Sequence, residues 1–107
     1  MSTYETVRQL GRELPDVEES TSYGTPALKV KKKLMVRLKE DGTTVVLLVG
    51  FDQRDILMQI DPETFYITDH YRGYPSVLAK LPRLNKRQLR DVMMMAYRFV
   101  TAPKRSL

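Results

Sequence analysis

The chain has 107 residues, 42% of them hydrophobic, which is the size and composition of one domain (1–107) with one core and argues against a second. The absence of cysteine excludes disulfides, thiolate metal sites and a thiol nucleophile, and a single histidine excludes a multi-histidine metal centre. The net charge of +5 is unevenly spread: residues 1–28 carry two basic and five acidic side chains, 29–39 six basic and none acidic, 40–71 one basic and seven acidic, and 72–107 nine basic and one acidic.

In chain order, Ser2 with Glu5 reads as a capping box, and Tyr4, Val7, Leu10, Gly11 and Leu14 recur at helical spacing until Pro15, predicting a helix over residues 3–14. Residues 17–22 and 27–30 predict two strands around Tyr23-Gly24-Thr25-Pro26, where glycine takes a positive φ and proline gives no ladder donor. Lys31-Lys32-Lys33 marks a bend. Leu34, Val36 and Leu38 then alternate with Met35, Arg37 and Lys39, predicting a strand with one wetter face. After a turn at Glu40-Asp41-Gly42-Thr43, the apolar, β-branched run 44–49 predicts a central strand covered on both sides.

Asp52 is expected to cap a helix of about two turns carrying Ile56, Leu57 and Ile60, ended by Asp61-Pro62-Glu63. Phe65-Tyr66-Ile67 predicts a strand, residues 68–75 a polar turn, and residues 76–81 a further strand. Asn85 caps a last helix whose apolar stripe is Leu89, Val92, Met93, Ala96, Tyr97 and Val100, followed by Pro103 and a basic tail. The order α-β-β-β-β-α-β-β-α predicts an α+β fold, one antiparallel sheet with helices packed against it.

Residues 68–75 hold the only histidine, and His70 with Asp69 or Asp61 is the one arrangement that invites general-base chemistry. No nucleophile flanked by elbow glycines and no second histidine accompanies it, so no catalytic residue, no metal and no cofactor are expected. Asp52, Asp55, Asp61, Glu63 and Asp69 lack the spacing of a calcium loop. Met93-Met94-Met95 puts Met93 in the core, Met94 outward and Met95 on a flank.

The basic residues carry the functional expectation. Lys29, Lys31, Lys32, Lys33 and Arg37 on or beside a hairpin, with Arg72, Lys86 and Arg87, suit phosphate oxygens, and Tyr23, Tyr71 and Tyr74 are available for stacking on bases. This predicts a non-enzymatic DNA-binding module of weak sequence specificity. The alternative is a protein-interaction or chaperone-like adaptor, alone or as a homodimer, and a third reading is small-molecule binding around His70, Tyr71 and Tyr74. No stretch reaches the ~20 apolar residues of a membrane span and the first residues show no leader pattern, so a cytoplasmic protein without a membrane partner is expected.

The segments from Thr21 to Val30, Lys33-Leu34, and Asp61 to Pro75 resemble the MmcQ/YjbR-like family over nearly the whole chain. The resemblance implies a small α+β domain similar to CyaY and to type III secretion chaperones, and a DNA-binding role through a double-wing arrangement of hairpins. The family positions present are Gly24, Pro26, Lys33, His70, Tyr71 and Pro75. Many relatives carry a large aromatic residue where this chain has Ser76, which implies an altered surface at that point.

Overall fold

The computed structural model describes residues 1–103, so the basic tail from Lys104 onward lies outside the described residues. The elements follow the expected order: α1 (Tyr4–Gly11), β1 (Val17–Ser22), β2 (Thr25–Val30), β3 (Lys33–Leu38), β4 (Thr44–Leu48), α2 (Phe51–Ile60), β5 (Phe65–Tyr66), β6 (Ser76–Lys80) and α3 (Lys86–Thr101). The strands form one antiparallel sheet in the order β1-β2-β3-β4-β6-β5.

One face of this sheet is covered by helices. Leu28, Val30, Val36, Val45, Leu47, Val77 and Ala79 from the strands share a core with Val7 and Leu10 of α1, Leu57 of α2, and Leu89, Val92, Met93, Ala96 and Val100 of α3. β4 is buried on both faces because the segment after β5 folds over the opposite side. At the start of α3, Asn85 Oδ1 accepts from the Gln88 amide at 2.8 Å while Gln88 Oε1 accepts from the Asn85 amide at 3.0 Å.

Several details depart from the sequence expectation. The cap of α1 is Thr3 paired with Thr6, and Ser2 is instead buried, its hydroxyl donating to the Leu84 carbonyl at 2.8 Å. α1 also stops at Gly11, before the expected Leu14. The first hairpin turn is only Tyr23-Gly24, because Thr25 and Pro26 already pair with β1. Pro26 precedes the β2–β3 pairing, which begins at Ala27, so its missing N–H costs no rung there.

In α2 the cap position is Gly50, not Asp52, and of the expected apolar positions only Leu57 is buried while Ile56 and Ile60 face outward. The strict alternation expected of β3 is broken by a bulge. Ala27 pairs Arg37 and Leu28 pairs Val36, but Lys29 then pairs Leu34, leaving Met35 as the extra residue. Met35 and Val36 are therefore both buried, and Leu34 joins Arg37 on the face away from the helices.

The β3–β4 turn closes on Asp41, whose carboxylate accepts from the amides of Thr43 and Thr44, both at 2.9 Å, and from the Thr44 hydroxyl at 2.6 Å. Burial pulls its pKa up, but the Thr44 hydroxyl and these two amides outweigh it and hold it below the ordinary aspartate value. A depressed folded pKa contributes stability that is present above the unfolded value, near ~3.9, and lost as pH falls through the folded one. Asp41→Asn should thus be less stable than the parent by about 1 kcal/mol at neutral pH, in line with lost hydrogen bonds. In denaturant titrations at successive pH values, that difference should shrink in acid.

Candidate functional site

The face of the sheet away from the helices carries a cleft of about 390 Å³. Its floor is Leu34, Val46 and Leu48, with Ser76 opposite Leu48 on the neighbouring strand. Its roof is the 68–75 segment, where a 3-10 turn over Asp69–Tyr71 brings three rings together. His70 and Tyr71 meet edge-on at 4.8 Å between centroids, and Tyr74 lies 5.9 Å from His70 and 6.4 Å from Tyr71.

Arg37 stands at the end of the cleft with its side chain only 8% exposed. Its Nη1 donates to Thr25 Oγ1 at 2.9 Å, the Leu38 carbonyl at 3.3 Å and Glu40 Oε2 at 3.4 Å, and its Nη2 donates to the Tyr71 hydroxyl at 3.4 Å. The Tyr23 ring packs on the guanidinium at 5.2 Å. Burial works against this charge, but Tyr71 and Glu40 outweigh it and hold the Arg37 pKa above the ordinary arginine value. Glu40 is held below the usual carboxylate range, first by a hydrogen bond to its own backbone and then by Arg37 and Lys39. Lys39 also places its ammonium 5.5 Å from the Tyr71 ring centre.

The sequence reading named Tyr23, Arg37, His70, Tyr71 and Tyr74 for two different reasons, and the fold brings all five to one place. It missed Glu40 and the apolar floor. It also missed Arg54, which ties the roof to α2 by donating to the carbonyls of Arg72 and Tyr74 at 3.1 and 3.0 Å. The signal for Arg54 was its position as the one basic residue in the acidic block 40–71. Gly50 makes a second tie, its amide donating to the Pro75 carbonyl at 2.9 Å.

The remaining basic residues do not join the cleft. Lys31 (φ 50) and Lys32 (φ 71) form a two-residue hairpin loop between the paired Val30 and Lys33, the primed turn geometry. All three lysines are exposed, and none takes part in an ion pair among the described residues. Lys29 stands on β2 opposite Leu34 and across from Glu18. Arg72 is paired with Asp69 at 2.6 Å. Gly24 (φ 79) completes the Tyr23 turn, and Pro26 is on β2 opposite Thr21.

Lys86 and Arg87 open α3, whereas the other end of that helix, at Val100 and Thr101, lies beside Lys31 and Lys33. About 20 Å of helix separates the two basic groups. Among the described residues no three His, Asp or Glu side chains converge as metal ligands, and no helix is long and apolar enough to cross a membrane.

The YjbR family model matches residues 12–99. No curated protein matches the sequence. The fold is similar to the crystal structure of the Deinococcus radiodurans protein DR2400, described as a DUF419 domain, with a TM-score of 0.80 and 20% identity over 99% of this chain and 83% of that one.

Proposed function

The chain belongs to the YjbR family, and from that premise we propose that it is a DNA-binding domain, not an enzyme, that holds duplex phosphates through the lysine turn between β2 and β3. The observation that carries this reading is the left-handed backbone of both Lys31 and Lys32. An Asn-Gly pair would hold the same loop relaxed, whereas each lysine there costs about 1 kcal/mol. Strain retained at an exposed cluster of like charge points to use of that charge. With Lys33 beside them, three ammonium groups project from one end of the sheet and suit backbone phosphates rather than base edges.

Lys86 and Arg87 lie about 20 Å of helix from this turn, beyond the Debye length of about 8 Å at physiological salt, so their charges add little to the field at the lysine turn. Arg37 and Arg72 are already paired with Glu40 and Asp69. Duplex DNA should bind at ~50 mM salt and weaken by about 40-fold at ~200 mM, the loss expected for three phosphate contacts. Lys31→Glu/Lys32→Glu/Lys33→Glu should abolish retention, while Lys86→Ala/Arg87→Ala should change affinity less than about 2-fold. Failure of the parent to bind at ~50 mM salt, or equal binding by the triple variant, would refute the reading.

A second reading, self-association as a homodimeric adaptor, draws support from α2, which exposes Phe51, Ile56 and Ile60. It differs in its salt response: apolar pairing through α2 would persist at high salt in sedimentation.

A further inference from the structure

We propose that the cleft on the open sheet face is a second binding site, separate from the lysine turn, for a small aromatic anion. Its shape sets the size. A cavity of about 390 Å³ is at the lower end of small-molecule sites and takes one or two fused rings. Its walls set the ring: Leu34, Val46 and Leu48 offer an apolar floor, and Tyr74, with 55% of its surface still exposed, offers a ring available for stacking.

Its end sets the charge. Three of Arg37's four hydrogen bonds fall on Nη1, leaving Nε without a partner among the described residues and Nη2 with one long bond. Among the described residues, the only carboxylate paired with this buried guanidinium is Glu40, which is 66% exposed and 3.4 Å away. A phosphate or carboxylate entering the cleft can replace that contact bidentately, while Glu40 turns outward into water. Tyr23, held at φ 55 and largely exposed, keeps its ring on the guanidinium and closes that end.

The site fits a free small molecule better than a nucleic-acid strand. Glu40 at the end of the cleft and Asp69 beside its roof would face the flanking phosphates of a strand, whereas a single anion meets only Arg37. Ser76 at the floor is small, which keeps the space open.

The probe is phenyl phosphate, titrated into the full chain and read by the His70 ring resonances and tyrosine fluorescence. Benzyl alcohol supplies the ring without the charge and inorganic phosphate the charge without the ring. Phenyl phosphate should bind at least about 10-fold more tightly than either. Tyr74→Ala, an exposed change that leaves the core intact, should weaken it about 10-fold, and Glu40→Gln should strengthen it several-fold by removing the competing carboxylate. Arg37→Met should abolish it, and if that variant does not fold, the Tyr74 and Glu40 variants still decide. Inorganic phosphate matching phenyl phosphate, unchanged binding by Tyr74→Ala, or weaker binding by Glu40→Gln would overturn the proposal. Displacement of phenyl phosphate by single-stranded oligothymidylate would assign the cleft to nucleic acid and overturn it as well. The variant Lys31→Asn/Lys32→Gly should bind the probe as the parent does, so the cleft stands or falls independently of DNA binding at the turn.

Discussion

Gly50→Ala is expected to destabilise the domain by about 3 kcal/mol, lowering Tm by about 15 °C. Two effects add. Gly50 holds φ 91 and ψ 158, a backbone region that residues with a Cβ avoid, at a cost of about 1–3 kcal/mol. A Cβ there would also stand 2.9 Å from Cδ1 of Phe99, and that half-exposed ring must swing away to admit it. Gly24→Ala is the control. At φ 79 a Cβ meets nothing within 4 Å, so only the backbone penalty of about 1 kcal/mol remains. Denaturant titration of the two variants should separate them by about 2 kcal/mol. The Gly50 amide also holds the Pro75 carbonyl, so the same variant should loosen the roof of the cleft and broaden the His70 resonances.

Lys31→Asn/Lys32→Gly should move stability and binding in opposite directions. The pair relaxes a two-residue loop that has both residues at positive φ, a gain of about 1 kcal/mol after the added chain entropy of glycine in the unfolded state. Melting should rise by about 5 °C. The same change removes two of three adjacent ammonium groups, and duplex affinity at ~50 mM salt should fall by at least about 10-fold. A merely structural turn would show only the first effect. Loss of both stability and binding would mean that the lysines support the fold itself.

The meander was legible because the alternating run 34–38 and the continuous apolar run 44–48 are bounded by Lys31-Lys32 and by Asp41-Gly42. What escaped was the bulge at Met35, since an extra residue leaves the hydrophobic pattern nearly unchanged while turning Leu34 to the other face. The caps were readable only where chemistry was unambiguous: Asn85 was found, though not its partner Gln88, but at the first helix Ser2 and Thr3 both offer a hydroxyl, and burial of Ser2 against Leu84 decided between them. Gly50 has no side chain to announce a cap, so Asp52 took its place in the sequence reading.

The cleft was legible in its parts and not as a whole. His70, Tyr71 and Tyr74 stood out as one polar segment, and Tyr23 and Arg37 as members of other runs. Their meeting depends on the crossing of β6 beside β4, which folds the 68–75 segment over β3, and no local pattern encodes that pairing. Charge was misleading in a similar way. Arg37 and Lys31 lie in one basic run, yet one is buried at the cleft and the other tips a hairpin about 20 Å along the strand.

The most direct test of the DNA-binding account is the salt dependence of duplex affinity, measured on the parent and on Lys31→Asn/Lys32→Gly under the same conditions. Three phosphate contacts predict a slope of log K against log salt near about −2.7 for the parent and about −0.9 for the variant. Equal slopes for the two proteins would show that the lysine turn touches no phosphate and would contradict the account.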